Sequence, residues 1–144
     1  MTLKECYTAL CGNYDEALSR LMNERLMERF LQKFLSDPSF NEIKDAFESK
    51  DGEKAFRGAH TLKGVSANLA FTKLSTSSSL LTEALRNTNG VIPEEAYELY
   101  KSVEEDYNLA INTISSYFAW LFLSAIRIMD ARTINPKSTI KTGL

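Results

Sequence analysis

Residues 53–71 read Glu53-Lys54-Ala55-Phe56-Arg57-Gly58-Ala59-His60-Thr61-Leu62-Lys63-Gly64-Val65-Ser66-Ala67-Asn68-Leu69-Ala70-Phe71, and the spacing inside this stretch decides the fold. Ala55, Ala59, Leu62 and Leu69 recur at three-, four- and seven-residue steps, so they fall on one stripe of an α-helix and face a core. His60 lies off that stripe. Lys63, three residues on, and Gly64, four residues on, share its neighbouring face. The stretch therefore describes a helix with an apolar side and a second side that sets an imidazole, a cation and a position without a side chain next to one another.

The same reading extends outward in both directions. Lys50-Asp51-Gly52 is a turn signal ahead of this helix. Near the amino end, Thr2 to Cys11 suits a short helix stopped by Gly12-Asn13, and Asn13 with Glu16 reads as an N-cap with a carboxylate at N3. Leu18, Leu21, Met22, Phe30, Leu31, Phe34 and Leu35 keep helical spacing, which predicts one helix as far as Ser36-Asp37-Pro38. Asp37 can cap the next helix with Pro38 at N1, and Phe40, Ile43, Ala46 and Phe47 form its buried stripe. Downstream, Leu74, Leu81, Ala84 and Leu85 mark a helix with the run Ser75-Thr76-Ser77-Ser78-Ser79. Serine is a middling helix former, but a small-residue face lets neighbouring helices approach closely. Asn87 to Gly90 ends it, and Pro93-Glu94-Glu95 opens a last helix carrying Ala96, Leu99, Val103, Tyr107, Ile111, Ile114 and Phe118. Short connections make consecutive helices antiparallel. The expectation is an all-α protein: an antiparallel four-helix bundle with an additional N-terminal helix and a hydrophobic C-terminal helical extension. Residues 1–118 would form the bundle, and residues 119–144 the apolar extension and basic tail.

Composition agrees with one folded domain. The 144 residues are 44% hydrophobic and 25% charged, enough to bury a core and too apolar for a disordered chain. A net charge of -2 does not provide the basic balance of a nucleic-acid binder. The charge is uneven, because Arg127, Arg132, Lys137 and Lys141 stand against Asp130 alone at the end of an acidic body. Cys6 and Cys11 lack Cys-x-x-Cys spacing and His60 is the sole histidine, so neither a disulfide scaffold nor a zinc site is expected. Two reduced thiols packed in or near the core are. Lys4 and Glu5 interrupt the start, so no secretory leader is expected there and the expected location is cytoplasmic.

Asn108 to Ile126 carries no charge. Its dense part, Tyr117 to Met129, is shorter than the roughly 20 residues of a bilayer-spanning helix. Asn108, Asn112, Thr113, Ser115 and Ser116 give it a polar side, so no membrane span is expected. Tyr117-Phe118-Ala119-Trp120-Leu121-Phe122-Leu123 is too apolar to stand in water and is expected to fold back on the bundle or to bury itself in another chain, homodimerisation being one such route. Beyond Asp130 the polar residues and Pro136 suggest a loose tail.

The chemistry rests on the His60 face. An imidazole titrates near neutrality, so a ring nitrogen is available as a nucleophile toward an acyl phosphate. Phosphoryl transfer is mainly positioning and neutralisation of charge on the equatorial oxygens, which Lys63 can supply. Gly64 costs about 1 kcal/mol of helix propensity relative to alanine. Two explanations fit that cost, a close approach by a partner or close packing between helices. Taken singly, each of the three residues has an inert explanation.

Together, Ala59-His60-Thr61-Leu62-Lys63-Gly64 resembles the Ala-His-x-Leu-Lys-Gly signature of histidine-containing phosphotransfer (HPt) domains, continued by Ser66, Asn68 and Leu69 and preceded by a family-like Glu53 to Arg57. The resemblance runs from about Leu21 to Tyr117, and Ala70 departs from it where glycine is common. It implies that His60 is phosphorylated, that Lys63 stabilises the phosphate charge, and that Gly64, Arg57 and Ala67 form the face on which a receiver domain docks. It also implies that a polar residue of the following helix orients the imidazole; Ser78, Thr82 and Glu83 all qualify. The implied function is reversible relay of a phosphoryl group between His60 and the aspartate of a response-regulator receiver domain, with a hybrid sensor kinase as a further partner, in two-component signalling. Such a chain is a stoichiometric carrier and not an enzyme, since it contains neither a Gly-rich ATP loop nor a P-loop. No cofactor or metal is implied on this chain; Mg²⁺ is expected in the receiver. The alternative is a helical interaction module or adaptor that binds a receiver without phosphotransfer.

Overall fold

The structure, a computed structural model, describes residues 1–133. These form seven α-helices and no strand: α1 (Leu3–Ala9), α2 (Tyr14–Leu21), α3 (Glu24–Phe34), α4 (Ser39–Glu48), α5 (Gly52–Asn68), α6 (Thr72–Leu85) and α7 (Glu94–Thr133). Four of them start in the same way. The side chains of Thr2, Asn13, Asn23 and Asp51 accept bonds from the backbone N–H groups of Glu5, Glu16, Leu26 and Lys54, satisfying donors that a helix start leaves open. Three of the seven end alike. After α1, α4 and α5 the chain passes through a left-handed residue, Cys11 (φ 60), Lys50 (φ 57) and Ala70 (φ 58). The next residue's N–H then reaches back to Tyr7, Ala46 and Ser66 respectively. This is the Schellman closure, in which glycine is the usual left-handed residue.

Helices α4 to α7 form the antiparallel bundle. Phe47, near the end of α4, packs against Tyr97 and Tyr100 of α7, and Phe40, at the start of α4, stacks on Tyr100 and Tyr107. That reversal of order fixes α4 and α7 as antiparallel and closes the ring of four. Gly58 lets α4 and α5 touch: a Cβ there would lie 2.8 Å from Ile43 Cγ1 and 3.2 Å from the Ile43 backbone nitrogen. Between α5 and α6 the small residues Ser66, Ser77 and Ser78 are buried. Helices α1 to α3 cover the end of the bundle at the α5–α6 turn. The Tyr7 hydroxyl donates to the Leu69 carbonyl at 3.0 Å, the Asn13 N–H to the Ala70 carbonyl at 2.8 Å, and Phe34 packs on Phe71 and Tyr107.

Several sequence expectations need correction. The single helix expected from Asn13 to Leu35 is two, because Met22 turns left-handed (φ 78) and the Asn23 side chain caps a new helix. Pro38, expected at N1, occupies the cap position itself, with Asp37 accepting from the Ser39 N–H at 2.9 Å. Cys6 is buried but Cys11 is exposed, because Cys11 is the left-handed residue of a turn. The apolar carboxyl-terminal segment packs on the bundle only in part: Tyr117, Phe118 and Leu121 do. Helix α7 continues without a break through residue 118, and beyond the buried Tyr117 it leaves Trp120, Phe122 and Leu123 at 47%, 67% and 60% exposure. Tyr117 is the last fully buried residue, its hydroxyl donating to Glu28 Oε1 at 2.6 Å, and Phe118 and Leu121 still pack on the core beyond it. By length and composition alone, α7 is the one helix among the described residues apolar enough to cross a membrane. The loose tail expected beyond Asp130 is helical as far as Thr133; Pro136, Lys137 and Lys141 lie outside the described residues.

Candidate functional site

Helix α5 sits between α4 and α6, and its two sides differ completely. Gly52, Ala55, Gly58, Ala59, Leu62 and Ser66 are buried. Arg57, His60, Gly64 and Ala67 are exposed and Lys63 is half-buried, so all five sequence-derived site residues share the solvent side. At Gly64 an added Cβ would meet nothing within 4 Å. Its glycine therefore serves no internal packing, which removes one of the two explanations for it.

The imidazole of His60 lies parallel to and offset from the ring of Phe56, one turn earlier, with centroids 5.9 Å apart and planes inclined by 4°. Phe56 is half-buried and has a second neighbour, the Arg86 guanidinium, 5.2 Å from its ring centroid. Arg86 extends just past the end of α6 and is held by Glu83 through two bonds, Nη2 to Oε1 at 3.0 Å and Nε to Oε2 at 3.2 Å. The guanidinium holds the Glu83 carboxyl below the usual carboxylate range, with smaller contributions from Lys63 and His60. Of the three polar residues of α6 that qualified, Glu83 is the exposed one. Ser78 and Thr82 are buried; Thr82 donates to the Ser78 carbonyl at 2.7 Å, and Ser78 Oγ has no hydrogen-bond partner among the described residues.

At the amino-terminal end of the face, Phe56, Arg57 and Arg86 line an open cleft of about 400 Å³ with the Asn87–Gly90 loop. At the other end, the Ala67 carbonyl accepts a hydrogen bond from Arg20 of α2. Phe56, Arg86 and Arg20 were not singled out from the sequence. Phe56 could have been, because four residues before His60 is the neighbouring position on a helix. The two arginines come from other helices, and nothing local announces them. No group of three or more His, Cys, Asp or Glu side chains among the described residues could hold a metal ion.

This bundle with an exposed histidine on its central helix defines a class. The model of the Hpt domain family matches residues 25–113, more than half of the chain, and the chain belongs to that family. Members are phosphocarriers in two-component signalling and interact with response-regulator receiver domains or kinases. The matched region takes in α4 to α6, most of α3 and the packed half of α7; it leaves out α1, α2 and the exposed end of α7. No curated protein and no solved structure matches the chain.

Proposed function

We propose that His60 is the phosphoryl-carrying residue, exchanging phosphate with the aspartate of a receiver domain. The observation that carries this reading is the solvent-facing imidazole beside Lys63 and the open surface at Gly64. One ring nitrogen attacks the phosphorus of the receiver's aspartyl phosphate. The P–N bond forms as the P–O bond breaks, the carboxylate leaves with the electron pair, and the other ring nitrogen holds the remaining proton. The reverse step returns the group to an aspartate. Lys63, one turn away, neutralises charge on the equatorial oxygens. Gly64 and Ala67 keep the surface low where the receiver approaches, and Arg57 offers a cation at its edge. The carrier needs no cofactor of its own, the Mg²⁺ being the receiver's. An exposed Cys11 and a buried Cys6, both free thiols, suit a reducing cytoplasm.

The test is to mix the protein with a phosphorylated receiver and follow acid-labile, base-stable label. Wild type gains label and His60→Gln gains none; equal labelling of both sinks the site assignment, and no labelling of wild type sinks the carrier reading. Lys63→Ala slows transfer by about tenfold or more while the melting temperature stays put, as expected for loss of one charge-stabilising contact worth about 1.5–3 kcal/mol. The exposed Trp120, Phe122 and Leu123 favour self-association through the end of α7. Sedimentation across a concentration series checks it, and a monomer throughout refutes it.

A further inference from the structure

We propose that Phe56 and Arg86 are positioning residues for His60: Phe56 fixes the plane of the imidazole, and Arg86 both braces Phe56 and neutralises Glu83 on the neighbouring helix. This rests on His60 as the phosphoryl carrier.

The argument begins with the freedom of an exposed histidine. The torsion that turns an imidazole about its Cβ–Cγ bond has a broad, two-fold profile, so a ring on a helix surface sweeps through many orientations. The lone pair that attacks phosphorus lies in the ring plane, and in-line transfer needs that plane held. A neighbour that covered a ring edge would block the nucleophile. Phe56 instead lies parallel to the ring and offset from it. Its ring is within 4° of parallel to the imidazole and offset at 5.9 Å between centroids, the arrangement aromatic pairs favour. The plane is selected and both ring edges remain free.

Phe56 is itself held in place. Arg86 stands 5.2 Å from its ring centroid, in range of a cation–π contact. Two bonds to Glu83 fix the guanidinium in turn. A chain from Glu83 through Arg86 and Phe56 to His60 therefore ties the imidazole of α5 to the end of α6.

Charge gives Arg86 a second task. Glu83 is an exposed carboxylate on the helix next to α5, linked to the imidazole through Arg86 and Phe56. Uncompensated, it would repel an incoming phosphoryl group and compete for the Lys63 charge. The bidentate pair with Arg86 removes that penalty and leaves Lys63 to the phosphate.

The test uses the full chain and two phosphoryl donors, phosphoramidate, which has no docking surface, and a phosphorylated receiver. Phe56→Leu keeps an apolar side chain and loses the flat ring. Its maximal rate should fall about threefold to tenfold with both donors, the effect of one aromatic pair, while KM for the receiver is unchanged. Phe56→Tyr should restore the rate. Arg86→Ala should slow transfer, and Glu83→Gln added to Arg86→Ala should recover part of the loss. Because His60 is the sole histidine, NOEs between its ring protons and the Phe56 ring report the stack without any phosphate; they should be present in wild type and weakened in Arg86→Ala. Wild-type rates in Phe56→Leu with both donors, or a change confined to KM for the receiver, overturn the proposal, as does absence of the NOEs. Should Phe56→Leu fail to fold, the exposed Arg86→Ala and its Glu83→Gln partner decide the matter. If wild type takes phosphate from neither donor, the carrier reading fails, and the NOEs still show whether Phe56 and Arg86 hold the ring.

Discussion

Gly58 and Gly64 stand six residues apart on one helix, and they do opposite things. Gly58 faces inward, where a methyl group would press on Ile43 and come within 3.3 Å of the Ser39 carbonyl. Gly64 faces outward, where a methyl group would touch nothing. The first glycine is required by the fold. The second costs the fold helix propensity and returns nothing to it, so its explanation lies outside the chain. The difference teaches that a helix glycine becomes informative about function only once internal packing has been ruled out.

The inner side should show the largest effect. Leu62→Ala empties a fully buried position and should destabilise the protein by about 2–5 kcal/mol in chemical denaturation, one residue from Lys63 and two from His60. Next comes Gly58→Ala. Its clash involves backbone as well as a side chain, so relief requires α4 and α5 to part, at about 1–3 kcal/mol. A neutral result would show that Ile43 can move aside and would break the contrast. Gly64→Ala should raise stability by about 1 kcal/mol while slowing phosphoryl exchange with a receiver; opposite signs from one methyl group are the sharpest form of the comparison. The smallest effect belongs to the end of the same helix. Ala70 is left-handed at φ 58, so Ala70→Gly should stabilise by about 0.5–1 kcal/mol, relief of the left-handed strain being partly offset by chain entropy, with exchange rates unchanged.

Much of this helix was legible before any coordinates. The stripe of Ala55, Ala59, Leu62 and Leu69 and the outward set of His60, Lys63 and Gly64 follow from local spacing, and local spacing survives folding. The cap at Asn13 was marked by residue type, whereas Asp51 read only as part of a turn and proved to cap α5. The break at Asn23 was not visible, because Leu18 to Phe34 can be threaded onto one helical period and an asparagine is as easily read as a surface residue. The left-handed residues were hidden for another reason: Gly12 and Gly52 lie beside the turns and draw attention from Cys11 and Lys50, which carry the unusual φ. Arg86 reaches the site only through the register of α6 against α5, a tertiary quantity that neither helix encodes alone. The end of α7 divides the same way. Its apolar composition was plain, but its course away from the bundle was not, since burial against the chain's own core and against something else leave the same pattern.

That course sets a distance. Helix α7 is 40 residues in one piece, a rod of about 60 Å at 1.5 Å per residue, and about 24 Å of it lies beyond Tyr117. A partner that holds the far end has about 24 Å of helix beyond the last fully buried residue to grip. A second carrier held there would share a small volume with the first and meet the same receivers at a raised effective concentration.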